Sequence, residues 1–262
     1  MNNNPIGLFD SGVGGTSIWM EIHQLLPYEN TIYLADSLNA PYGNKSREEI
    51  ISFCIKNTEL LLEKGCKIIV VACNTATTNA ITILRERYNV PFIGIEPAIK
   101  PAALQSKTKS IGILATKGTL NSELFSLTTE EFTKDITVTE IVGEGLVPLI
   151  EKGSLYSPEI LNLLKQFTNP MLENNIDRLV LGCSHYPYLI PQLTELLPSH
   201  IKIIDSGEAV AKQTKYIVFQ NSLQKNTRDK PTLQFISNST TTTLKFLLED
   251  YQDEIQIETK IF

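Results

Sequence analysis

The sequence predicts an α/β fold: two similar parallel-sheet units related by a pseudo-two-fold axis, with a ligand site in the cleft between them. Three observations point there. Short β-rich runs alternate with longer helical patterns, several of those runs are apolar throughout, and two chain segments recur in the same order. An unbroken apolar run suits a strand covered on both faces of a parallel sheet, whereas a strand with one wet face alternates.

In chain order, Ile6–Phe9 is the first candidate strand, and a glycine-rich turn, Asp10-Ser11-Gly12-Val13-Gly14-Gly15-Thr16, leads from it into a helix. Thr31–Leu34 is the second strand and runs into the loop Asp36-Ser37-Leu38-Asn39-Ala40-Pro41-Tyr42-Gly43. Ser46-Arg47-Glu48-Glu49 has the residues of a capping box and opens a helix toward Lys64. Lys67–Ala72 is the third strand, and Cys73-Asn74-Thr75 stands where it turns into the next helix. Strands follow at Phe92–Ile95, Ser110–Leu114, Val138–Val142, Arg178–Leu181 and Lys202–Ile204. Between them Ser157-Pro158-Glu159 supplies a cap residue, a proline at the first helical position and an acid in the first turn. From about Ser206 the chain offers a helical stretch, a strand-like Leu233–Ile236 and a Thr240–Thr243 step into a last helix.

The repeat pairs Ile6–Gly12 with Ile111–Lys117, and Ile69–Thr75 with Leu179–His185, at similar separation. Each half then presents one cysteine at the carboxyl end of a strand, the edge at which open α/β sheets bind ligands. Two halves packed face to face would set Cys73 and Cys183 on opposite walls of one cleft.

Composition limits the function classes. The 262 residues suit one large domain or two small ones. With 42% hydrophobic and 20% charged residues the chain reads as an ordinary globular protein. A net charge of −6 and a pI near 5.2 give no general attraction to nucleic acid or anionic lipid. The start, Met1 to Pro5, has no basic region typical of a secretory signal, and no apolar run approaches the roughly 20 residues of a membrane span. Four cysteines without a C-x-x-C pair indicate neither a disulfide scaffold nor a zinc cluster. A cytoplasmic chain with reduced thiols is the expectation.

The Asp10–Thr16 turn exposes backbone N–H groups suited to an anion. A dinucleotide fingerprint starting at Gly12 would need glycine where Ser17 stands, and a P-loop would end in Gly-Lys-Ser/Thr. An anion smaller than a nucleotide fits better; a glycine-rich turn with no ligand is the alternative. Cys73 and Cys183 lie at strand-to-helix turns, where a helix amino terminus favours the thiolate. Asn74 and Thr75 flank the first, and Ser184 and His185 follow the second. Cys54 and Cys66 lack such neighbours and read as packing residues. Asp36 and Tyr42 sit on a loop at the same sheet edge, able to face the cleft. By its own surroundings Glu151 reads as a solvated acid at a helix end. His23 and His200 lie in polar, motif-free stretches and suggest no role.

Together, Asp10–Gly15, Asp36 with Pro41-Tyr42-Gly43, Cys73-Asn74-Thr75 and Cys183-Ser184-His185-Tyr186-Pro187 closely resemble the glutamate racemase family, within the cofactor-independent aspartate/glutamate racemase superfamily. The resemblance runs from Ile6 to about Ser206. The family usually has threonine where this chain has Ser184, which keeps the hydroxyl and loses a methyl.

The resemblance implies a two-base racemisation with L- and D-glutamate as substrates, no cofactor, no metal, and a role in supplying D-glutamate for peptidoglycan. It implies that Cys73 and Cys183 work on opposite faces of the substrate, with Asp10 assisting near Cys73 and His185 near Cys183. Asp36 and Glu151 match supporting positions. Asp10, Ser11, Tyr42, Gly43, Asn74, Thr75, Ser184 and His185 match positions that hold the substrate's amino and carboxylate groups. It also implies a discontinuous first domain of residues 1–97 and 207–262, with 98–206 as the second, and a homodimer as an expected assembly. Other readings stay open at this point: an aspartate racemase or related isomerase, a non-catalytic anion-binding protein, and a redox protein with a Cys73–Cys183 disulfide.

Overall fold

The computed structural model describes residues 3–262. Within them lie the strands β1 (Ile6–Asp10), β2 (Thr31–Ala35), β3 (Ile68–Val71), β4 (Phe92–Gly94) and β5 (Ser110–Ala115). There follow β6 (Thr137–Val142), β7 (Arg178–Gly182), β8 (Lys202–Ile204), β9 (Leu233–Ser237) and β10 (Ile255–Thr259). The helices are α1 (Thr16–Leu25), α2 (Arg47–Glu63), α3 (Asn74–Arg87), α4 (Ile99–Gln105), α5 (Lys117–Leu120) and α6 (Glu123–Phe132). They continue with α7 (Leu146–Glu151), α8 (Pro158–Glu173), α9 (Ile190–Leu196), α10 (Gly207–Gln220) and α11 (Thr242–Leu247). None is long and apolar enough to cross a membrane, among the described residues. The reading of the chain start falls partly on Met1 and Asn2, which lie outside them.

The strands form two parallel sheets, one in the order β10-β9-β2-β1-β3-β4 and the other β6-β5-β7-β8. The run β2-β1-β3-β4 repeats as β6-β5-β7-β8, so the internal similarity seen in the sequence is a repeat of topology. β1 and β5 are flanked equivalently, and the cysteine turns follow the equivalent strands β3 and β7. The α/β class and the two-sheet architecture are those the sequence predicts.

Successive side chains of a strand point to opposite faces, and the core divides accordingly. On one face of the six-stranded sheet, Leu8, Val70 and Tyr33 pack against Trp19 and Ile22 of α1. On the other, Phe9, Ile69 and Val71 pack against α2 and α3. The four-stranded sheet has the same two-sided burial, with Leu179 and Leu181 on the α8 side and Ile111, Ile113 and Val180 on the α4 side. Each such buried side chain contributes on the order of 1.5–3 kcal/mol of burial free energy. That is why these strands read as unbroken apolar runs.

Helix starts follow local chemistry. Ser46 and Glu49 exchange side-chain and backbone hydrogen bonds to make the capping box of α2, and Ser157 caps α8 ahead of Pro158. β10 is the element the sequence reading does not anticipate. Its five residues place Ile255 and Ile257 between polar neighbours on a half-exposed edge, so its apolar signal is short and interrupted. It pairs with β9, and both extend the first sheet beyond β2.

Candidate active site

The site forms where the carboxyl ends of β1, β3 and β7 meet. Asp10 ends β1, Cys73 is the second residue after β3 and the N-cap of α3, and Cys183 directly follows β7. A narrow cleft lies between the two sheets. Ser11, Tyr42, Gly43, Cys73, Asn74 and Thr75 line it from the first sheet, and Thr116, Val147, Cys183, Ser184 and His185 from the second. The two thiols therefore line one chamber from opposite units.

Cys73 is 4% exposed. Its Sγ accepts the Ala76 N–H at 3.4 Å and its thiol donates to Ser11 Oγ at 3.6 Å. Burial pushes this thiol well above its ordinary range, and the charge of Asp10 pushes the same way, against the Ala76 N–H and Ser11. Both effects favour the protonated thiol.

Asp10 is fully buried and spread across both units. Its Oδ2 accepts the Gly12 and Gly15 N–H groups at 3.2 and 3.0 Å, and its Oδ1 accepts the Ser184 hydroxyl at 3.2 Å. Burial raises its carboxyl above the usual range, opposed by His185 and the glycine N–H groups. Its direct side-chain contact across the cleft is thus to Ser184, while the hydroxyl beside Cys73 is that of Ser11.

His185 Nδ1 lies 3.7 Å from Cys183 Sγ, and its Nε2 lies 2.5 Å from Glu151 Oε1. Burial alone would favour the neutral ring. Its hydrogen bonds and charge interactions with Cys183 and Glu151 outweigh that and lift the imidazole well above its usual value of 6.5.

Glu151, the last residue of α7, corrects the solvated-acid reading. Its side chain is only 15% exposed, and Oε1 also accepts the Val13 N–H at 2.7 Å while Oε2 accepts the Ser37 hydroxyl at 3.1 Å. Its backbone carbonyl accepts the Thr243 hydroxyl at 2.7 Å. The carboxylate is a bridge from the second unit to two loops of the first. The glycines opposite are needed for this approach: a Cβ on Gly12 would collide with the Glu151 carboxylate, and one on Gly14 with the His185 ring.

Asp36 does not face the cavity. Its Oδ2 accepts the Tyr42 hydroxyl, and its Oδ1 accepts the amides of Asn39 at 2.8 Å and Asn238 at 2.5 Å. It fixes Tyr42 from behind, with the Asn57 amide 3.2 Å from the same phenol oxygen. Tyr42 itself lines the chamber. The amide of Asn74 is 2% exposed, and neither its Nδ2 nor its Oδ1 has a protein partner. Leaving both unsatisfied costs on the order of 1–3 kcal/mol per group, which a ligand with an acceptor and a donor would recover.

Residue-level reading missed several groups. Thr116 lines the chamber and lies 2.8 Å, oxygen to oxygen, from Thr75 of the other unit. The repeat contained the signal, because Thr116 aligns with Ser11. Ser17 donates to the Ser184 carbonyl at 2.9 Å, and no sequence pattern marks that contact. Cys54 and Cys66 are core residues as expected; burial pushes both thiols up, that of Cys66 to about 12. His23 is buried between Trp19, on which its ring stacks with centroids 5.0 Å apart, and the Glu254 carboxylate 4.0 Å from its Nε2. All four cysteines are free.

A family model described as Asp/Glu/Hydantoin racemase matches residues 16–214. A glutamate racemase from Ralstonia pickettii is 48% identical over 208 residues, which is 79% of this chain and 74% of that protein. One from Ectopseudomonas mendocina is 47% identical over 220 residues, 84% of each. This chain belongs to the glutamate racemase family. The family's crystal structures share its whole architecture: isoform RacE1 from Bacillus anthracis superposes with a TM-score of 0.88 at 29% identity, over 99% of this chain and 98% of that one. The Escherichia coli glutamate racemase, in complex with L-glutamate and the activator UDP-MurNAc-ala, gives a TM-score of 0.85 at 31% identity, over 98% of each chain.

Proposed function

We propose that this chain interconverts L- and D-glutamate by carrying a proton across the substrate's α-carbon between Cys183 and Cys73. The observation that supports the reading is that two buried thiols, one from each unit, line one cleft, each with its own polar partner. One sulfur, as thiolate, takes the α-proton from one face. The resulting carbanion takes a proton from the thiol on the other face. The thiol and thiolate have then exchanged places, and no oxidation state has changed.

For the enantiomer whose α-hydrogen faces Cys183 we assign that sulfur as the base and Cys73, whose thiol is pushed up by burial, as the acid. His185, lifted toward its cationic form by Cys183 and Glu151, stands beside that sulfur as its polar support. The opposite enantiomer needs the reverse assignment, with Asp10 and Ser11 beside Cys73. The α-hydrogen is far less acidic than a thiol, so the carbanion depends on preorganised donors in a dry chamber. We assign Asn74, Thr75, Ser184 and the Tyr42-Gly43 turn, all of which line the cleft, to hold the substrate's carboxylate and amino groups.

Relatives named glutamate racemase favour glutamate over aspartate as substrate, and a cytoplasmic role supplying D-glutamate for peptidoglycan follows from the same relationship. The sheet memberships favour a first domain of residues 1–97 and 207–262 with 98–206 as the second. The test is a chiral assay of L-glutamate and L-aspartate without added cofactor. Glutamate is expected to racemise and aspartate to remain. Cys73→Ala is expected to abolish racemisation while α-hydrogen exchange of one enantiomer persists in heavy water. Full racemisation by a variant lacking either cysteine overturns the two-base scheme.

A further inference from the structure

We propose that Thr16 and Tyr188 form a positioning pair that holds the Val13 peptide, and through it Glu151 and His185, in the geometry the Cys183 side of the reaction requires. The proposal rests on the racemase reading above and assigns two residues that reading does not use.

Thr16 is fully buried at the start of α1. Its Oγ1 lies 2.6 Å from the Val13 carbonyl oxygen and 2.5 Å from the Tyr188 hydroxyl. The Thr16 hydroxyl has one proton and gives it to the Val13 carbonyl, so Tyr188 donates to Thr16. Val13 also donates its N–H to Glu151 Oε1 at 2.7 Å, and that oxygen meets His185 Nε2. His185 Nδ1 in turn meets Cys183.

Cys183, His185 and Tyr188 all belong to the segment that follows β7, whereas Val13 and Thr16 belong to the turn after β1. The contacts therefore close a ring that crosses the cleft twice, once at Tyr188–Thr16 and once at Glu151–Val13. Val13 is held on both sides, its carbonyl by Thr16 and its N–H by Glu151. Where that N–H points decides where Oε1 sits, and hence how well Glu151 meets the imidazole. The Thr16 N–H also reaches the Val13 carbonyl, at 3.1 Å, and keeps the turn itself folded. The side-chain hydroxyl adds the link to the opposite unit. Neither residue lines the chamber, so any effect on chemistry passes through other groups.

The titratable groups facing His185 are Cys183 on its own turn, Glu151 from α7 and Asp10 from β1. None is altered by substitution at Thr16 or Tyr188, so a change in the titration of His185 in these variants reports its positioning. The experiment compares Tyr188→Phe, Thr16→Val and Thr16→Ser with the unmodified protein, using both glutamate enantiomers across pH. The enantiomers have equal free energy, so kcat/KM must fall equally in both directions. For Tyr188→Phe and Thr16→Val the expected fall is about five- to tenfold, as for loss of one buried hydrogen bond. The basic limb of the pH profile is expected to move to lower pH as His185 loses its acceptor. Thr16→Ser, which keeps the hydroxyl, is expected to retain the original limb.

Folded Tyr188→Phe and Thr16→Val proteins with unchanged kcat/KM and an unchanged limb overturn the proposal. So does a fall in activity with no movement of the limb, which marks a merely structural role. Failure of both variants to fold while Thr16→Ser folds assigns the pair to stability and overturns it equally. An unmodified protein that leaves glutamate unchanged refutes the racemase reading itself, a separate outcome.

Discussion

At the scale of single residues, Glu151 shows how a surface-looking acid becomes part of the chemistry. Its carboxylate accepts from Val13, Ser37 and His185, so one residue ties the two units together and, with Cys183, raises the imidazole. Glu151→Gln keeps an oxygen for the Val13 N–H but removes the negative charge. His185 is then expected to titrate nearer 6.5, and the basic limb of the pH–rate profile to move to lower pH. The same linkage acts on stability. A histidine raised in the fold contributes stability that is complete below its unfolded value of 6.5 and is lost as pH rises through its folded value. Thermal midpoints measured at rising pH are expected to show that loss in the native protein and much less of it in Glu151→Gln. An unmoved pH–rate limb in this variant would remove Glu151 from the account of His185.

At the scale of elements, the strand-to-helix turn is the repeated device. β3 into α3 puts Cys73 at an N-cap, where the Ala76 N–H meets its sulfur; β7 runs into the short turn at Tyr186–Leu189, whose N-cap is His185, so Cys183 stands two residues before that cap and has the His185 ring as its partner. Both turns were legible because short apolar strands and small polar residues mark them without help from the rest of the chain. α2 was legible for another reason: the Ser46–Glu49 box is a purely local pattern. Ser46→Ala is expected to destabilise the protein by about 1 kcal/mol in urea unfolding and to leave racemisation unchanged, since a lost cap acts only on its own helix. β10 was not legible, because an edge strand's pairing is supplied by its neighbour, and its own sequence is mostly polar.

At the scale of the whole molecule, the two units are joined across the cleft by polar contacts as well as by packing. Asp10 meets Ser184, Ser17 meets the Ser184 carbonyl, Thr75 meets Thr116, and Val13 and Ser37 meet Glu151. A ligand held between such surfaces contacts both units and binds only the folded pair. D-Glutamate at a hundred times its dissociation constant is expected to stabilise the protein by about 2.7 kcal/mol, read as a rise in thermal midpoint. D-Aspartate at the same concentration is expected to give a much smaller rise. Equal shifts for the two amino acids would argue against glutamate selectivity.

The sequence by itself determined the α/β class, the duplicated strand order and the identity of the two turns that bear Cys73 and Cys183. Those features depend on hydrophobic period, capping and glycine placement, which act over a few neighbouring residues. Only the tertiary structure decided what stands beside each turn. Glu151 lies 34 residues from His185, and Thr16 lies 172 from Tyr188, and no local pattern encodes such meetings. Asp36, which the sequence left free to face the cleft, is turned behind Tyr42 by Asn238, a residue 202 positions away. Side-chain direction at a buried site is set by the partners that satisfy its polar atoms, and here those partners come from distant parts of the chain.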